Sequence, residues 1–152
     1  MDGPRTEPLD GPAGLLLLSA FAEEIASLYP GWNAGVGPSA RPEEFVHPSG
    51  RFLVAYSGNR PVACGGVKHL DDTTGEVKRL YVVPDARGRG VGRRLLRALE
   101  DAAAELGWRT VRLDTGDQQP EALALFRSAG YREISDYNAN PYASYWLEKP
   151  LA

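Results

Sequence analysis

The stretch Glu76 to Gly92, EVKRLYVVPDARGRGVG, constrains this chain more than any other. Strand-forming residues stop at Pro84, pass through a turn rich in arginine and glycine, and open a long amphipathic helix. The first backbone N–H groups of a helix have no partner within it, and the helix dipole adds positive potential there. Strand, turn and helix start therefore read as a cradle for a phosphate-bearing anion. Charge agrees with this. Between Lys78 and Arg97 stand seven basic residues and one acid, Asp85, in a chain of net charge −3. A basic island in an acidic chain fits a localised anionic ligand better than a polyanion or a membrane surface.

At 152 residues the chain is long enough to bury one sizeable core. Residues 1–12 are rich in Pro, Gly and charge and read as a flexible segment, with a single domain over 13–152. The one cysteine, Cys64, lies in the apolar run VACGGV and reads as a buried small residue. His47 and His69 stand alone, so no metal-ligand spacing is present and no metal is expected. The apolar run Leu15–Leu18 is too short to span a bilayer, and MDGPRTEPLDGP lacks the basic start of a signal peptide. A cytoplasmic protein is the expectation.

The order of elements gives the fold class. Leu15, Leu18, Ala22, Ile25 and Tyr29 recur at helical spacing, ended by Pro30-Gly31. Residues 30–50 are rich in Pro and Gly and form a long loop, whose Trp32 and Phe45 suggest one wall of a substrate site. Arg51–Ser57, Pro61–Leu70 and Glu76–Val83 read as an antiparallel meander, with Gly58-Asn59 as the first turn. Gly65-Gly66 signals a bulge or a close approach. The apolar alternation of Glu76–Val83 changes phase near Lys78-Arg79, which one extra residue, a β-bulge, would repair. Gly90–Leu106 is a helix with Val91, Leu95, Leu99, Ala102 and Leu106 on one face, stopped by Gly107. A strand at Arg109–Asp114 then implies a right-handed crossover and parallel pairing. A short helix, Pro120–Ala129, and closing strands at Tyr131–Tyr137 and Ala143–Lys149 complete a mixed α/β domain.

Several anion-binding motifs fail on these residues. Gly88, Gly90 and Gly92 alternate as G-x-G-x-G rather than the dinucleotide spacing, although Asp114 lies where a ribose-binding acid would. No G-x-x-x-x-G-K-[ST] is present for a nucleoside triphosphate. RGRGVGRR lacks the interleaved aromatics of a nucleic-acid surface.

Coenzyme A is left, and the likeness is specific. Arg87-Gly88-Arg89-Gly90-Val91-Gly92 resembles the R/Q-x-x-G-x-G/A signature of the GCN5-related N-acetyltransferases, the GNAT family. LYVVPDARGRGVGRRLLRALEDAAAELG resembles that family's motif A, and QPEALALFRSAGY its motif B, so that the match spans residues 51–149. The resemblance implies a central mixed sheet, antiparallel in its first half, with a parallel strand pair splayed around acetyl-CoA and helices on both sides. It implies that backbone groups of Leu80, Tyr81 and Val82 pair with the pantetheine arm. Amides from Arg87 through Gly88, Arg89, Gly90, Val91 and Gly92 to Arg93 would hold the pyrophosphate. Gln119 falls where the family often has an Asn touching the cofactor arm.

Transfer of an acetyl group from a thioester to an amine needs a base for the ammonium and a donor for the carbonyl oxygen. Glu76, eleven residues before Arg87, matches the family's catalytic glutamate in several members. Phe126 stands in A-x-x-L-F where members often carry a Tyr as general acid, and Phe donates no proton. Either the thiolate leaves unassisted or another group substitutes, with Tyr131 and Tyr137 as the candidates. The expected partner is a small-molecule amine attacking directly in a ternary complex, without nucleic acid or membrane; a homodimer is left open. Its pocket is expected from the first helix, the 30–50 loop and YNANPYASY. Acetylation of protein amines and a non-catalytic acyl-CoA-binding module are the alternatives.

Overall fold

The computed structural model describes residues 3–33, 37 and 40–152. Seven strands form one sheet in the order β1-β2-β3-β4-β5-β7-β6. They are β1 (Arg5–Thr6), β2 (Gly50–Ser57), β3 (Arg60–Asp71), β4 (Thr74–Val82), β5 (Thr110–Thr115), β6 (Arg132–Ile134) and β7 (Tyr145–Pro150). The helices are α1 (Pro12–Leu28), α2 (Val91–Glu105) and α3 (Pro120–Ser128). Every neighbouring pair is antiparallel except β4 and β5. This is the mixed sheet expected from the element order. No helix among the described residues is long and apolar enough to cross a membrane.

Strand alternation gives the sheet two apolar faces. Leu53, Ala55, Ala63, Val67, Val77, Val111 and Leu113 cluster with Leu95, Leu96 and Leu99 of α2. Phe52, Val54, Cys64 and Tyr81 cluster instead with Ala13 and Leu17 of α1. The two long helices therefore cover opposite faces.

Two irregularities in β4 create the site. Cys64 of β3 opposes Tyr81, and Gly66 opposes Lys78. Two steps on β3 thus face three on β4, so the extra residue lies at the phase break read in the sequence. Arg79, in the bulge, has φ 59, in the left-handed region that is costly for a non-glycine residue. The second irregularity is the parting of the parallel pair. β4 and β5 are in register only from Thr74↔Thr110 to Glu76↔Arg112. Beyond Glu76 the strands separate.

Some expectations change. Within the segment marked as flexible, Arg5 and Thr6 pair with β2 and Leu9 is buried, because an apolar anchor and a strand edge hold it. Leu15 is 58% exposed, and Leu17 replaces it in the core. The apolar stripe of α1 is split, with one flank in the core and the other, Leu18, Ala22 and Ile25, lining a cleft. Gly66 serves a close approach, since a Cβ there would lie 2.4 Å from the Phe45 ring. The first closing strand is only Arg132–Ile134, and β7 inserts between β5 and β6.

Candidate functional site

The turn before α2 is built from backbone. Gly88 and Gly90 have φ 78 and 79, which few side chains tolerate. No side chain caps α2, and its first hydrogen bond runs from Arg94 N to Gly90 O at 3.1 Å. The amides of Val91, Gly92 and Arg93 precede that bond and belong to the unpartnered first turn. A Cβ at Gly88 would meet nothing within 4 Å, so the turn is open on that side. A Cβ at Gly92 would come within 3.3 Å of Leu125, which fixes how closely α2 starts beside α3. An uncapped, open helix start of this kind fits a pyrophosphate.

The arginines of the turn do different jobs. Arg87 folds back, with Nε donating to Val82 O at 2.9 Å and a terminal nitrogen donating to both carboxylate oxygens of Glu24 at 2.8 and 3.0 Å. It pins the turn to α1. Arg93 donates to the Ser128 hydroxyl on α3. Arg89 is exposed, and its carbonyl accepts from Arg94.

Where β4 and β5 part, a cavity of about 450 Å³ opens. Its floor is Val77–Leu80 and Leu113–Gly116. One wall is α3, with Gln119, Ala122 and Phe126; the other is α1 and its exit, with Phe21, Ile25, Tyr29 and Trp32. Leu80, Gln119 and Phe126 thus meet in one space. Tyr81 is buried, with its ring stacked on Phe21 at 5.2 Å between centroids. Neither Tyr81 nor Val82 is among the residues that line the cavity. Trp32 is the described part of the 30–50 loop that reaches the cleft, while residues 34–36 and 38–39 lie outside the described residues.

Glu76 is only 2% exposed, at the last position where β4 pairs with β5. Its Oε2 accepts from Tyr137 at 2.6 Å and from Asn138 at 3.2 Å. Its Oε1 faces Lys78 Nζ at 3.9 Å, and Lys78 lines the cleft. Asn138 also donates to Asp114 at 2.6 Å, and Asn140 donates to the other oxygen of Asp114 at 3.2 Å. Trp146 Nε1 donates to Asn138 Oδ1 at 2.9 Å and so fixes the orientation of that amide. Asp114 lines the cavity and Glu76 lies behind it.

Neither tyrosine offered by the sequence as an acid lines the cleft. Tyr131 is buried against Phe126 and donates to Glu100 at 2.8 Å. Tyr137 donates to Glu76, and burial together with that carboxylate raises its pKa above the ordinary phenol value. The phenols in the cleft are Tyr29 and Tyr142. Tyr29 Oη accepts from Gln118 N at 3.1 Å and sits over Gly116, where a Cβ would lie 1.9 Å from it. Nothing in the local pattern of α1 singles Tyr29 out, and only its contact with the β5–α3 loop reveals it.

A model of the Acetyltransferase (GNAT) family matches residues 18–131. IAA acetyltransferase of Azospirillum brasilense is 40% identical over 113 residues, which is 72% of this chain and 73% of that protein. N-alpha-acetyltransferase RimI of Mycobacterium tuberculosis is 36% identical over 100 residues, covering 64% of this chain and 61% of its own. Among solved structures, YncA from Salmonella typhimurium, determined with its cofactor acetyl-CoA, shares the fold. Its TM-score is 0.68 at 15% identity, with 99% of this chain and 95% of that one covered.

Proposed function

From the premise that this chain belongs to the acetyltransferase (GNAT) family, we propose that it transfers an acetyl group from acetyl-CoA to the primary amine of a small molecule. The observation that carries the reading is the parting of β4 and β5 beside an uncapped helix start. When bound, acetyl-CoA supplies an acetyl group already activated as a thioester. The amides from Arg87 to Arg93 would bind the pyrophosphate, and the parted edge of β4 at Leu80, Tyr81 and Val82 would orient the arm. Gln119 and Phe126 close the α3 side and exclude water.

The amine enters from the α1 side. Asp114, aimed into the cleft and held by two asparagines, attracts the ammonium. Glu76 is the proposed base. Its Oε2 is occupied by two donors, so the proton arrives at Oε1, which faces Lys78 Nζ of the cleft lining at 3.9 Å. A backbone N–H of the parted β4 segment would donate to the acetyl oxygen, and Phe126 would offer no proton to the departing sulfur.

Calorimetry with acetyl-CoA and a thiol-release assay over an amine panel test this. Gly90→Glu places a side chain and a negative charge at a left-handed helix start. It should weaken acetyl-CoA binding by about 10- to 100-fold, the worth of one or two charge-assisted hydrogen bonds. Glu76→Gln should keep binding and lower kcat by about 10²- to 10⁴-fold, as loss of a general base does. Tight binding without turnover of any amine would identify an acyl-CoA-binding module. The relation to RimI is the reason to include peptides with free N-termini in the panel.

A further inference from the structure

Arg79 is the residue this reading leaves unused. It sits in the β4 bulge with φ 59 and lines the cleft. One terminal nitrogen donates to Ala40 O at 2.8 Å, which sets the guanidinium on the α1 side of the sheet. Among the described residues no carboxylate lies within 4.0 Å of it. The stretch 34–39 that leads to Ala40 contains no acid either. The charge of Glu44 does reach the guanidinium, but that carboxylate is already paired with Lys68 at 2.9 Å. Burial depresses the Arg79 pKa below the ordinary arginine value. Backbone strain and a charge with no carboxylate in direct contact coincide at one residue of the cavity lining.

An anion from the ligand would pair with the charge. The phosphates of the cofactor belong to the turn before α2, and the pantetheine arm is uncharged, so the anion must come with the acceptor. Guanidinium geometry favours a carboxylate, which it holds through two parallel bonds. Asp114 lines the same cavity and offers the opposite charge. Phe21, Ile25 and Trp32 make the α1 wall apolar and largely aromatic.

We propose that the acceptor is an α-amino acid or a close analogue with an apolar or aromatic side chain. Its carboxylate rests on Arg79, its amine faces Asp114, and its side chain lies against α1. This rests on the cleft being the acceptor site of an acetyltransferase.

The test compares phenylalanine, leucine and tryptophan with the amines that lack only their carboxylates, by thiol release. The wild-type protein should favour the amino acids by about 10- to 100-fold in kcat/KM, the worth of a charge-assisted pair. Arg79→Gln should move that ratio towards one, and Arg79→Lys should restore part of it. Circular dichroism melts of both variants show that they are folded. Equal use of amine and amino acid by the wild type, or an unchanged ratio in Arg79→Gln, overturns the proposal. Calorimetry in the presence of CoA separates it from the reaction itself, with N-acetylphenylalanine and N-acetylphenethylamine as probes. If the acid binds at least tenfold more tightly and loses this in Arg79→Gln while no amine is turned over, the carboxylate site stands and the acetyltransferase reading falls. Equal binding of the two probes overturns the site whatever the turnover.

Discussion

Single residues set the tolerances of this fold. Gly66 lets β3 pass beneath the Phe45 ring, and a Cβ would lie 2.4 Å from two of its carbons. Phe45 itself is buried against Phe52, at 6.3 Å between ring centroids, and has nowhere to retreat. Gly66→Ala should therefore cost about 1–3 kcal/mol as an overpacked site. For a chain of this size each kcal/mol lowers the melting temperature by about 2–4 °C, which calorimetry reads directly. The sequence marked Gly65-Gly66 as a bulge or a close approach, and both occur, since the register with β4 shifts between Cys64 and Gly66 while Gly66 lies against Phe45. The close approach depends on a phenylalanine distant in sequence and was not legible there. Glu76 shows the same limit. Its place on the strand was legible, whereas its burial behind Asp114 depends on Asn138, which lies in an irregular segment without periodicity to follow.

At the scale of elements, α1 and the turn before α2 are joined by one side chain. Arg87 spans from Val82 O to the Glu24 carboxylate, with its guanidinium 5.8 Å from the Tyr81 ring centre. Lysine keeps the charge but lacks the fork, so Arg87→Lys should lose both the Val82 contact and the paired bonds to Glu24. The pair is partly exposed, so the stability loss should stay at or below about 1 kcal/mol. The effect on acetyl-CoA should be larger in proportion, because the turn would no longer be held in the cradle conformation. Calorimetry should show a several-fold weaker affinity at nearly unchanged melting temperature, and unchanged affinity would remove Arg87 from that role. The strand phase break and the glycines of the turn made this region the most legible part of the sequence. The α1 stripe was less so. A helix that faces a core on one flank and a cleft on the other carries apolar residues on both, and periodicity does not separate the two.

The whole molecule carries a pH dependence set by buried neutral groups. Burial pushes the Cys64 thiol up to about 12. Tyr131 and Tyr137 are also raised, by burial first and then by Glu100 and Glu76. In the unfolded chain these groups ionise near their ordinary values, about 8.5 for Cys and about 10 for Tyr. The native state then holds protons that the unfolded state has released. Their stabilisation is complete below those values and falls as pH rises above them, by up to about 1.4 kcal/mol per pH unit for each group. Melting temperature should drop steeply between about pH 9 and 11. Tyr137→Phe should flatten the decline, and a slope indifferent to that change would show the phenol ionises freely in the native state. Cys64 should resist thiol reagents until the protein unfolds.

The position of β7 has a consequence for the order in which the molecule is completed. It follows β6 in the chain yet lies inside it, between β5 and β6. During synthesis the meander, the turn and α2 emerge first and can pack on one another. β5 stays a bare edge until β7 arrives, and Trp146, on β7, is what orients Asn138 towards Asp114 and Glu76. The turn before α2 can thus form early, while the two carboxylates proposed to receive the amine are set only by the last strand to join the sheet.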